Sequence, residues 1–206
     1  MEWFLFIEEL FRLAEPCLTI RMDLPHARIA HQYCLRLLEE EEGDRRIVEP
    51  AVVLHDVGWS KLSPEQIKMA FGVRAGGEEA ERLNRIHEIE GAAIARELLQ
   101  SLDYDPILIE QITSMIQRHD SGNHPESLEE KLLKDSDKLW RFSPFGFWNE
   151  IERQGLDPLE LYRHLEERCK VWFYSNTALA LAEEELKVRA QEIAEHEPPL
   201  KPIERD

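Results

Sequence analysis

Apolar residues recur at three- and four-residue intervals along most of this chain, with few β-branched runs between them, and that pattern predicts an all-α protein. The first stripe, Trp3, Phe4, Leu5, Phe6, Leu10, Phe11 and Leu13, predicts a short amphipathic helix over 3–14 that Pro16 ends or follows, its aromatic face serving for packing. A second helix is expected from Asp23, which can cap it with Pro25 in the first turn, to the acidic tract before Gly43. His26, Ala30, Tyr33, Cys34, Leu37 and Leu38 share one face of it, while His31 points roughly 140° away. The apolar run 47–54 predicts a third helix that stops at His55-Asp56, and Gly58 then lets the backbone turn. The stretch 59–82 carries Pro64, Gly72, Gly76 and Gly77, so it reads as loop-rich with one short helix over 64–71.

A helix from Asn84 puts His87, Gly91, Ile94 and Leu98 on one face. Glycine there weakens a helix by about 1 kcal/mol against alanine, so Gly91 is expected to admit another backbone. The next helix starts near Asp105-Pro106 with Leu108, Ile112, Met115, Ile116 and His119 on its inner face, and Ser121-Gly122-Asn123 breaks it. Another begins near Pro125 or Ser127. Its spacing groups Asp135 with Leu128, Leu132 and Leu139, and groups Asp137 with Leu133 and Trp140. The aromatic stretch 142–149 reads as a folded connection over the core, followed by helices at about 158–174 and 178–195 and a charged, frayed tail.

A length of 206 residues suits one all-α domain: a core at about 22–141, the N-terminal helix 3–14 and a helical extension at about 142–206. The net charge of −17 argues against polymeric nucleic acid as a partner, because a phosphate backbone is bound by a basic face. Three scattered cysteines, Cys17, Cys34 and Cys169, form no CxxC pair and indicate neither a disulfide framework nor a cysteine zinc site. Glutamates interrupt the apolar N-terminus and no run reaches the length of a membrane span. The expectation is a cytoplasmic protein that does not engage a membrane.

His55-Asp56 changes the picture. Desolvating a carboxylate beside an imidazole needs a counter-charge, and a divalent metal is the simplest one. Taken singly, His26, His87 and His119 would each read as a hydrogen-bonded core histidine. Each also lies at the end of an apolar stripe, where a helical bundle can bring such residues together.

The order of His26, the apolar run into His55-Asp56-Val57-Gly58, His87-x-x-x-Gly91-Ala92, Ile116-x-x-His119 and Leu133-Lys134-Asp135-Ser136-Asp137-Lys138-Leu139 resembles the HD-domain superfamily of metal-dependent phosphohydrolases. The resemblance implies an HD helical bundle with additional C-terminal helices. It implies metal ligands at His26, His55, Asp56, His87, His119 and Asp137, with Asp135 as second choice for the last, and one or two divalent ions per chain (Mn, Fe, Ni, Zn, Co or Mg). Asp56 would bridge the metals and orient a catalytic water. The expected reaction is hydrolysis of a phosphate ester or anhydride in a small molecule, a nucleotide by preference. Lys61, Arg118, Lys138 and Arg141 are the candidate phosphate contacts, with Arg74 a further one, and Trp59 or Trp140 would stack on a base. Trp59 stands where the family often has a lysine, and Lys61 is the nearest substitute. The competing readings are a nucleotide-binding regulatory module without turnover and a di-iron oxygenase-like enzyme; a homodimer is compatible with each.

Overall fold

A computed structural model of the chain describes residues 2–19, 23–70, 76–122 and 124–196, with ten α-helices and no strand among them. They are α1 (Trp3–Leu18), α2 (Asp23–Glu40), α3 (Arg45–Leu54), α4 (Pro64–Ala70), α5 (Glu78–Ser101), α6 (Pro106–Ile116), α7 (Leu128–Leu139), α8 (Pro144–Gln154), α9 (Pro158–Trp172) and α10 (Asn176–His196). Short 3₁₀ turns span Val57–Lys61 and Trp140–Phe142. Arg74 and the tail after 196 lie outside the described residues. No helix among the described residues is long and apolar enough to cross a membrane.

The element at the centre is α3. All of Ile47 to Leu54 are buried, so this helix is covered on every side, and α1, α2, α6 and α7 pack around it. A helix buried along its length from Ile47 has no solvent face there, and its C-terminal end is delivered into the interior. One apolar cluster joins Phe6 and Phe11 of α1 through Leu37, Val52, Ile112 and Leu133 to Leu165 of α9 and Ile193 of α10. A smaller one, Trp59, Leu62, Ile67, Ala70 and Leu83, seats α4 on α5.

At α6 and α7 the caps follow the sequence signals. Asp105 accepts from the Ile107 amide at 2.8 Å with Pro106 in the first turn, and Ser127 accepts from the Glu130 amide at 3.1 Å. Three expectations are corrected. Helix α1 runs through Pro16 to Leu18, because Ala14 and Leu18 are fully buried and hold its last turn against the core. Helix α5 starts at Glu78, with three acidic residues in its first turn complementing the helix dipole, rather than at Asn84. The stretch read as a connection over 142–149 is largely α8: Ser143 caps it by accepting from the Gly146 amide at 3.0 Å, and Pro144 sits where a helix tolerates proline.

Candidate metal centre

His55 is the C-terminal cap of α3 and is fully buried. Its Nδ1 lies 2.8 Å from the Val52 carbonyl. A carbonyl can only accept, so Nδ1 carries a proton, and in the neutral ring Nε2 presents its lone pair away from the helix. His119, in the turn after α6, repeats this with Nδ1 2.8 Å from the Ile116 carbonyl. Between them, Asp56 opens the 3₁₀ turn Val57–Lys61, and the Trp59 indole donates to its Oδ1 at 3.0 Å. The same indole stacks on the His87 ring, centroids 4.0 Å apart and planes 11° from parallel. Trp59 therefore holds two members of the cluster, and at 1% exposure it has no face for a base. Trp140 is also buried, its ring edge-on to His26 at 4.8 Å.

The turn approaches α5 closely. A Cβ on Gly58 would lie 1.9 Å from the His87 carbonyl oxygen and 2.5 Å from the Gly91 nitrogen, whereas one on Gly91 would meet nothing nearer than 3.4 Å. The close approach expected at Gly91 exists, but Gly58 is the position that demands the missing side chain.

Six of the side chains singled out in the sequence converge. His26 and His55 place Nε2 atoms 2.9 Å apart, at 3.3 and 3.4 Å from Asp137 Oδ1 and 3.5 and 3.6 Å from Asp56 Oδ2. On the other side, His87 and His119 place Nε2 atoms 3.4 Å apart, each 3.7 Å from Asp56 Oδ1. Asp56 thus turns one carboxylate oxygen to each pair of histidines. Donors bound about 2.0–2.2 Å from one ion stand roughly 3.0–3.5 Å from each other, so these separations suit a shared cation.

A seventh residue joins them. Asp120 Oδ2 stands 3.7 Å from His87 Nε2 and 3.8 Å from His119 Nε2. The reading of the sequence missed it, although its position directly after a histidine repeats the His55-Asp56 pairing. Two buried charges support its turn. Lys134, 1% exposed, donates through Nζ to the carbonyls of Arg118, His119 and Gly122 at 2.8, 2.6 and 3.0 Å. Glu88 accepts from the amides of Asp120 and Ser121 at 2.9 and 2.8 Å.

Asp135 and Asp137 part company. Asp135 is buried but faces the start of α10, accepting from the amides of Tyr174 and Ser175, each at 2.9 Å, and from the Ser175 hydroxyl at 2.8 Å. Asp137 is the one in the cluster.

The electrostatics are those of a cation site. Burial would raise Asp137, yet hydrogen bonds from His26 and His55 and the nearby Arg141 hold it well below the ordinary carboxylate range. Burial would lower His119, yet Asp120, Asp56 and Asp137 push it up to about 10. Burial likewise opposes the charged form of His55, and Asp56 and Asp137 raise it. Carboxylates that draw protons onto imidazoles would draw a divalent cation in the same way.

Asp120 and Asp137 line a cleft of about 490 Å³ together with Lys138, Arg141 and residues of α5, α8 and α9. Lys61, Arg118 and Trp59 are not among its lining residues. Lys61 is exposed on the 3₁₀ turn, and Arg118 is committed to Glu126 and to Glu130, the latter at 2.5 Å.

A sequence model of the HD domain matches residues 25–141. No curated protein matches the chain. Among solved structures, a predicted HD superfamily hydrolase from an uncultured Thermotogales bacterium is similar, with a TM-score of 0.61 and 18% identity over 91% of this chain and 89% of that one.

Proposed function

The chain belongs to the HD domain family, and on that premise we propose that it is a metal-dependent phosphohydrolase that cleaves a phosphate ester or anhydride, by preference in a nucleotide. One observation carries the reading: His26, His55 and Asp137, then His55, Asp56 and His119, then His87, His119 and Asp120 form three overlapping groups, the donor atoms of each lying within 4.8 Å of one another.

HD domains bind divalent metals, and a cation bound here would polarise a phosphoryl oxygen and lower the pKa of a coordinated water. The protein's part is positional. His26, His55 and Asp137 would form one half of the site and His87, His119 and Asp120 the other, with Asp56 facing both. Backbone carbonyls fix the Nε2 lone pairs of His55 and His119, and the Trp59 indole orients Asp56 Oδ1. Lys138 and Arg141, on the wall of the cleft, would receive the phosphate oxygens.

The test is metal content of protein purified without chelator, for wild type and Asp56→Ala, with hydrolysis of a chromogenic phosphate ester under added Mn. Close to two metals per chain, lost together with activity in the variant, supports the reading. One metal with activity would reduce half of the cluster to a structural role. No metal and no turnover with any divalent ion would refute it.

A further inference from the structure

Part of the wall of the cleft is built by a helix beyond the HD match. Helix α9 contributes His164, Arg168 and Trp172 to the lining, with Arg168 and Arg141 close to His164 and Arg141 also close to Asp137. Arg168 is exposed, and no carboxylate pairs with it among the described residues. In a chain of net charge −17 an unmatched arginine at the mouth of a cleft is conspicuous. Elsewhere Arg12, Arg28, Arg82, Arg96, Arg118 and Arg153 meet glutamates, while Arg163, exposed on α9 outside the cleft, is the counterpart of Arg168 without a carboxylate among the described residues. The cations are also close together: burial first, and then the positive charges of Arg168 and Arg141, hold His164 below its ordinary value. Of the acids on this side, Glu150 is turned to Arg153 and Gln154, and Glu81 is exposed.

A single phosphoryl group held at the carboxylate side would be neutralised there by the cation and by the adjoining Lys138 and Arg141. Arg168 and His164 exceed what it needs. The volume of about 490 Å³ lies within the range of small-molecule sites and leaves room beyond one phosphoryl group. We infer that α9 carries a second anion subsite, with Arg168 as its principal contact, for a substrate bearing two or more phosphate groups, of which the one nearest Asp120 and Asp137 reacts and the next is held by Arg168. The inference rests on the phosphohydrolase reading for which phosphate reacts, but its binding prediction does not require turnover.

The experiment titrates methylphosphonate and methylenediphosphonate, neither of which the reaction can cleave, into the metal-loaded full chain. The proteins are wild type, Arg168→Ala, Arg168→Lys and, as a charge control on the same helix outside the cleft, Arg163→Ala. Wild type should bind the diphosphonate at least tenfold more tightly than the monophosphonate. Arg168→Ala should lose roughly tenfold in diphosphonate affinity, the size of one charge-assisted contact, with monophosphonate affinity and metal content unchanged. Arg168→Lys should recover part of the loss, and Arg163→Ala should match wild type. No preference for the diphosphonate in wild type, or an equal preference in Arg168→Ala, overturns the inference while leaving single-phosphate hydrolysis intact. If the preference depends on Arg168 but no phosphate ester is hydrolysed with any metal, the second subsite stands and the hydrolase reading fails.

Discussion

Replacing Gly58 by alanine tests whether the turn after His55-Asp56 and helix α5 are in true backbone contact. The added methyl would sit 1.9 Å from the His87 carbonyl oxygen, 2.5 Å from the Gly91 nitrogen and 2.8 Å from its Cα, all of them backbone atoms that no rotamer change can move. An ordinary carbon-to-oxygen contact is about 3.3 Å, so the turn and α5 must separate by about 1.4 Å. Forcing that into a packed interior is expected to cost about 3 kcal/mol. For a chain of this size that lowers the melting temperature by roughly 6–12 °C. Because His87 supplies the strained carbonyl and its ring stacks on Trp59 four residues before Gly91 and one after Gly58, the same displacement pulls its Nε2 away from His119, Asp56 and Asp120. Gly91→Ala is the counter-experiment. Its methyl meets the Gly58 nitrogen and His55 carbonyl at 3.4 Å and Ile116 Cγ2 at 3.5 Å, ordinary contacts, and alanine improves helix propensity by about 1 kcal/mol. The assay is thermal unfolding followed by circular dichroism, with metal content by mass spectrometry on the same preparations. Gly58→Ala should melt well below wild type and lose metal; Gly91→Ala should melt at or above wild type and keep it. A Gly58→Ala protein that melts within 1 °C of wild type with its metal complement intact would refute the geometry.

Asp135→Ala and Asp137→Asn should part in their metal content: the first strands the Tyr174 and Ser175 amides and should cost about 2–3 kcal/mol in urea unfolding with metal retained, while the second should lose metal. Lys134→Met removes the ammonium that ties three carbonyls around His119, so metal affinity should drop at least several-fold by competition with a chromogenic chelator; unchanged affinity would show that the turn needs no tether. Glu49 accepts from Trp3 at 2.9 Å and Arg45 at 2.8 Å and pairs with His31 at 2.9 Å; burial would raise its carboxyl, but these partners hold it below the usual value. A depressed folded value means that its contribution is complete above the unfolded carboxyl range, about pH 4.3, and is lost as pH falls through the lower folded value. Glu49→Gln should therefore be about 1–3 kcal/mol less stable than wild type at pH 7, with the gap closing below about pH 4; a gap independent of pH would contradict the assignment.

The helices and the six side chains that converge at the candidate centre could be read from the chain because both are written in local order. Helical spacing marks a buried face within one element, and it placed His26, His55, His87 and His119 at the ends of apolar stripes, where the structure brings them together. The likeness to the HD domain added the choice of Asp137, which spacing alone did not favour. The structure shows why spacing was ambiguous there: α7 is buried from Leu132 through Asp137, so both carboxylates point inward, one to the start of α10 and the other to the centre. What lies between elements left no such mark. Trp59 reads in the sequence as a stacking residue, and only the crossing of α5 over the 3₁₀ turn turns it into a clamp on Asp56 and His87. Asp120 sits beside a histidine in the sequence, but its distance to His87, more than thirty positions earlier, depends on Lys134 and Glu88 folding the intervening turn back. The same holds for Arg168, exposed on its helix, which lines the cleft with Lys138 of α7 only because α9 is held there by its packing on α8 and α10. Periodicity is a property of one helix and its solvent boundary; the meeting of side chains from different helices is decided by packing angles and close backbone contacts, which a linear pattern does not contain.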